Sequence, residues 1–232
     1  MSAQSSRVPV RDWTFREELR QQRWDDHRFY HQSRINQSLH LFSACCFLTA
    51  YVLLVIEPSM APIVGWILAM CSRQAGHFFF EPKDFDRVNR VSHEYKEDVK
   101  VGYNLRRKVV LMAIWAALPV VLLVNPSMAG LLTPHSDFSS WLDNLALAWL
   151  ALGAGGVLFR TVHLFFISNV QTGLVWFTKI LTDPFHDVQL YAGAPLALAR
   201  GQLLDPMVDI TIEHMDPLED DEAHPEESDA PA

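Results

Sequence analysis

The sequence predicts an all-α, multi-pass membrane protein with four transmembrane helices and both termini in the cytoplasm. Three observations carry that expectation: apolar residues gather into four long blocks, those blocks have no polar face, and basic residues are confined to one set of loops. Whole-chain averages conceal all three. A chain of 232 residues, 50% hydrophobic and 20% charged with net charge -8, could equally be soluble. Its length suits a single domain.

Residues 1–38 are charged and polar throughout and read as a cytoplasmic segment. They lack a short apolar stretch before a small-residue cleavage site, so no cleavable signal is expected and the first span acts as its own signal. The blocks Leu39 to Ile56 and Pro62 to Phe80 form one pair of spans, and Val109 to Val124 and Leu142 to Phe159 form a second. Each approaches the roughly 20 apolar residues that about 30 Å of hydrocarbon requires. A soluble bundle would keep apolar residues at i, i+3, i+4, i+7 and a polar far face, and VVLMAIWAALPVVLLV has no such face. The four spans occupy 39–168, with a cytoplasmic loop over 81–108, and 169–204 reads as a membrane-associated cytoplasmic segment.

Lys and Arg in short loops are retained on the cytoplasmic side. Of 19 such residues, seven lie between Arg7 and Arg34 and eight between Lys83 and Lys108, whereas Glu57 to Ala61 and Asn125 to Trp141 contain none. This asymmetry places the protein in the inner (plasma) membrane with two outward turns. Acidity concentrates in 205–232, where MDPLEDDEAHPEESDAPA has too little apolar content to offset its ordering entropy, so a disordered, dispensable tail is expected. Cys45, Cys46 and Cys71 all fall inside spans and read as packing residues rather than a disulfide framework.

The ten His residues can then be placed by depth. The turn between the first two spans is centred near Pro58 and Ser59, so His40 and His77 each lie 18 or 19 residues from it, about 28 Å along a helix. They should meet near the cytoplasmic boundary. His163, 21 residues after Leu142, reaches a similar level, and His31 and His186 lie outside the spans on that side. A single His at an interface is well explained by its polar edge reaching water. Several at one depth, beside other polar residues, favour a shared site, because ionisable groups in a membrane are costly and usually functional. Asn36 and His40 share a helix face, as do Arg73 and His77, and Arg160 and His163 point roughly together. A His-rich pocket flanked by Arg suits a divalent metal and a carboxylate, hence a fatty acid or other acidic lipid.

The stretch FYHQSRINQSLHLF carries His31, then Asn36 and His40 five and nine residues later, and RQAGHFFFE carries Gly76, His77 and Glu81. Together these resemble the 2-hydroxy fatty acid dioxygenase family, small multi-pass membrane proteins with H-x4-N-x3-H before the first span and GH-x3-E closing the second. The likeness covers roughly residues 25–90; FRTVHLFF and LTDPFHDVQLYAGAPLALARGQLLDP have no counterpart. It implies Fe(II)-dependent oxidation of 2-hydroxy fatty acids with loss of one carbon. His31, His40 and His77 are the implied ligands, and Asn36 and Glu81 the implied orienting groups. His163 is added on depth alone.

Three His on iron(II) leave positions for a chelating 2-hydroxy acid and for O2, although zinc and manganese also accept imidazole. Glu81, Asn36 or Asp187 could accept the second ring N–H of a ligand, and Arg73 or Arg160 could neutralise the substrate carboxylate. His186 is weaker, because Asp183-Pro184 reads as an ordinary turn.

A membrane di-iron hydroxylase would need clustered boxes such as HxxHH, and no two His here are closer than His27 and His31. A non-catalytic protein binding lipid or a partner through its cytoplasmic face is the alternative, although the loop HEYKEDVKVGYNLRRK mixes acids with bases. Residues 170–181 could lie along the surface or continue the fourth span. Nucleic-acid binding has no support, an oligomer is compatible, and no P-loop, Rossmann, GxSxG or CxxC pattern occurs.

Overall fold

The computed structural model describes residues 13–86, 88–103 and 105–207. Among these the chain is all-helical, without strands, apart from isolated bridges Ser33–Leu204 and Asp86–Val91. The expected disorder of the acidic tail concerns residues 208–232, outside the described residues.

Helix α1 (Phe15–Tyr30) starts at a capping box in which Thr14 accepts from the Glu17 N–H and the Glu17 carboxylate accepts from the Thr14 N–H. Three residues later Ser33 caps α2 (Arg34–Ile56) by accepting from the Asn36 N–H. Three helices are long and apolar enough to cross a membrane: Arg34–Ile56, Arg106–Val124 and Phe138–Ile167. They correspond to the first, third and fourth expected spans. The second is helical too, but built from successive stretches: α3 (Met60–Ile63), a π-helical run Val64–Met70, α4 (Cys71–Ala75) and a second π-helical run Gly76–Phe80. π turns inside α-helices are frequent at functional sites, and the second run carries His77.

After the short α5 (His93–Asp98) come α6 (Leu105–Val124) and α7 (Phe138–Ile167). The latter has 30 residues and spans about 45 Å, so it overruns the expected span at both ends. Helices α6 and α7 bury Leu118, Leu122, Leu145 and Trp149 against each other. Trp115 stacks on Trp66 at 5.8 Å and on Trp149 at 5.5 Å.

Two expectations for the C-terminal third are corrected. Helix α8 (Val170–Tyr191) does not extend α7: Asn169 caps a new helix that packs back on α7, α2 and α1. Gly173 makes this possible, since a Cβ there would stand 2.5 Å from Phe165 and 2.8 Å from the Thr161 carbonyl. Asp183-Pro184 is also not a turn. The helix runs through Pro184, with Arg23 and Lys179 both bonded to Asp183 across this stretch.

Following α9 (Ala194–Ala199), the chain returns to the α1–α2 corner. The Arg34 N–H donates to the Leu203 carbonyl, the Asp205 N–H to the Gln32 carbonyl, and Arg34 pairs with Asp205 at 2.9 Å. The first residues assigned to the tail are therefore held in the fold. Asp86 fastens the preceding loop to the same corner, accepting from Gln32, Asn89 and Lys96.

Candidate metal centre

The three-residue link between α1 and α2 turns His31 back toward the first turns of α2. His40 Nε2 stands 3.2 Å from His31 Nε2 and 3.2 Å from His77 Nε2, and ligand atoms of all three rings lie within 4.8 Å of one another. His31 is 2% exposed and His40 is fully buried.

Tautomers follow from the partners. His31 Nδ1 lies 2.7 Å from the Asp26 carbonyl, which can only accept, so the proton sits on Nδ1 and Nε2 presents a bare lone pair. Burial first, then His40, holds the His31 pKa well below its ordinary value and keeps the ring neutral. His40 Nδ1 is buried without a hydrogen-bond partner, its neighbouring carboxylate Asp187 standing 3.8 Å away; with the proton on Nδ1, His40 Nε2 would be bare as well. Two bare nitrogens at 3.2 Å would repel unless a cation lay between them. Imidazole nitrogens about 2.1 Å from one ion and about 100° apart are separated by about 3.2 Å, so the donor set fits a first-row divalent metal.

Asn36 and Glu81 serve this site indirectly. Asn36 Nδ2 donates to the Tyr30 carbonyl at 2.8 Å and to Glu81 at 2.7 Å, and the Gln32 N–H donates to Glu81 at 3.3 Å. They tie the end of the second π-helical run to the α1–α2 corner instead of accepting a ligand N–H. Gly76 is required here: a Cβ would fall 2.0 Å from Asn36 Oδ1. Burial raises the Glu81 pKa to about 7 despite the hydrogen bonds from Asn36 and Gln32 that lower it.

His163 does not join the three rings. Its Nδ1 lies 2.8 Å from Arg160 and its ring stacks on Phe159. Helix α8 packs against both α2 and α7, and His163 lies outside the cluster. Arg160 is committed elsewhere, donating twice to the Val101 carbonyl. Arg73 is close to the centre but paired with Asp187 at 3.0 Å. His186 is half-buried and outside the cluster.

Two groups beside the rings lie in α8. The sequence offers Asp187 only as an alternative acceptor and carries no motif that marks Tyr191. The Tyr191 ring centroid is 5.6 Å from that of His31 and 6.1 Å from that of His40, and its hydroxyl meets His27 Nδ1 at 3.2 Å. Lys179, Asp183, Asp187 and Tyr191 recur every fourth residue, one buried stripe of α8. Burial opposes the Lys179 charge, but Asp183 and Asp26 outweigh it and raise its pKa.

His77 borders a cavity of about 1870 Å³ that extends among the apolar helices past Trp66, Leu111, Trp149 and Val157. That exceeds the roughly 300–1,000 Å³ of ordinary ligand pockets. Compared with protein-family models, curated proteins and solved structures, the chain has no match.

Proposed function

We propose that this protein is a membrane-embedded, metal-dependent lipid oxygenase in which His31, His40 and His77 hold Fe(II), acting on 2-hydroxy fatty acids. The observation that carries this reading is a buried trio of imidazoles whose least buried member, His77, borders a large apolar cavity. The same reading takes the segment 60–80 as a fourth span and places both termini on the cytoplasmic side of the inner membrane, on the strength of the basic-residue asymmetry.

With Fe(II) bound, one O2 takes a 2-hydroxy acid to the acid one carbon shorter, CO2 and water: C1 and C2 lose the four electrons that O2 accepts. The chain's residues hold the geometry for this. The Asp26 carbonyl fixes the His31 ring, the Asp187 carboxylate stands 3.8 Å from His40 Nδ1, and Arg73 pairs with Asp187 at 3.0 Å. Asn36, Gly76 and Glu81 set the position of the run that presents His77, and the apolar cavity takes the alkyl chain away from water.

The test is turnover by detergent-purified protein loaded anaerobically with Fe(II). Long-chain 2-hydroxy acid and O2 should be consumed in equal amounts by the parent and by neither His40→Ala nor His77→Ala. Consumption unaffected by His77→Ala, or a parent that binds lipid but consumes no O2, would refute the oxygenase reading.

A further inference from the structure

The two cations that sequence spacing offered for a carboxylate are both engaged: Arg73 by Asp187, Arg160 by the Val101 carbonyl and His163. Two others border the cavity beside His77. Lys100 and Lys108 line the large cavity, and both also line a small one of about 30 Å³ that His77 and Glu81 share. Neither forms an ion pair with a carboxylate among the described residues. Lys100 lies over the Tyr30 ring at 3.2 Å from its centroid, which steadies the ammonium without neutralising it. Lys108 belongs to the first turn of α6, which holds Arg106, Arg107 and Lys108 and no acid. Cations there oppose the helix dipole, whereas an anion would be favoured by it. Two half-buried ammonium groups stand at the same cavity wall; Glu81 and Glu97 share the small cavity's lining, but no carboxylate among the described residues comes within ion-pairing distance of either lysine.

We infer that Lys100 and Lys108 clamp the carboxylate of a single-chain fatty acid whose alkyl chain fills the large cavity, holding the acid end against His77. The inference rests on the oxygenase reading for its purpose but not for its chemistry. Two ammonium groups at one end of an apolar cavity select an anionic head on an apolar tail, and C1 of that molecule is then the carbon next to the imidazole trio. Both lysines lie beyond the residues whose pattern resembles a known family, so no motif marks them.

The experiment compares binding of palmitate and hexadecanol, which share a tail and lack the 2-hydroxyl, to the metal-loaded, detergent-purified chain under anaerobic conditions, with metal content measured in parallel. The parent should bind palmitate at least about tenfold more tightly than hexadecanol. Lys100→Met/Lys108→Met should lose that preference while binding hexadecanol as before, and Lys100→Arg/Lys108→Arg should regain it, with equal metal content in all three. Retained preference in the double Met variant, or equal affinity of the parent for acid and alcohol, overturns the clamp. A parent without metal that still prefers palmitate supports the clamp and overturns the oxygenase reading. Should the double Met variant not fold, Lys108→Met alone must still lower the preference, and an unchanged value overturns the proposal.

Discussion

The two ends of the helix assembly bury opposite kinds of residue. Around the α1–α2 corner the fully or nearly buried side chains are His31, Asn36, Gln37, His40, Lys96 and Asp187, each held by partners from other elements. At the far end they are Leu118, Leu122, Leu145 and Trp149, an apolar cluster whose polar contacts are the Trp149 N–H donating to the Trp115 carbonyl and the Trp66 N–H donating to the Trp149 carbonyl. Helices at that end also face outward with apolar side chains; only 6% of the α6 window is buried, against 22% for α2. With lipid as the solvent, close packing can be spared on the outer faces, whereas buried polar groups need partners, and at the polar end Asn36 Oδ1, His40 Nδ1 and Ser43 Oγ have no hydrogen-bond partner. The polar end is therefore the one under functional constraint.

Substitutions at the two ends should separate metal binding from stability. The largest effect is expected from His40→Ala, which removes the ring facing both other ligands: metal analysis of the folded protein should show none retained, with the helical content kept. Trp149→Ala, by contrast, leaves a cavity beneath the Trp stack and should cost about 3–5 kcal/mol in thermal or denaturant unfolding, while the folded fraction keeps its metal. Loss of metal in Trp149→Ala would collapse the distinction. Asp187→Asn should lower metal affinity by about 10–100-fold, because it weakens the grip on His40 and strands Arg73.

The smallest effect is a pH dependence. Glu81 binds its proton more tightly in the fold, at a pKa of about 7 against 4.5, so its contribution to stability is full below about pH 4.5 and is lost as pH rises through about 7. Glu81→Gln should flatten that slope, and its Tm relative to the parent should rise by a few degrees between about pH 5 and pH 8. Parallel curves would mean that Glu81 is ionised in the fold throughout.

The imidazole trio was legible because a depth argument and a resemblance met: His40 and His77 are equidistant from one tight turn, and His31, His40 and His77 all stand in the stretches that resemble a known family. His163 satisfied only the depth argument. Distance along a helix gives depth and says nothing of azimuth, and α8 carries no long apolar run by which to place it. The α8 stripe was present as Lys179, Asp183, Asp187 and Tyr191, yet Pro184 interrupts its pattern and reads as a break. Lys100 and Lys108 were counted only for orientation, since a basic loop residue shows its partner, or lack of one, only after the loop is placed. The three long apolar helices were plain from composition. The segment 60–80 is helical but is not among the three helices long and apolar enough to cross a membrane, and its π-helical runs have no signature in hydropathy, which averages over the register that they change.

The central claim is that His31, His40 and His77 bind one ion together. X-ray absorption at the metal edge of the Fe(II)-loaded, detergent-purified protein tests it directly. We predict about one metal per chain with scattering from three imidazole rings at about 2.1 Å, falling to two rings in His77→Ala. A parent that binds no stoichiometric metal, or whose metal shows the same imidazole count in His77→Ala, would contradict it.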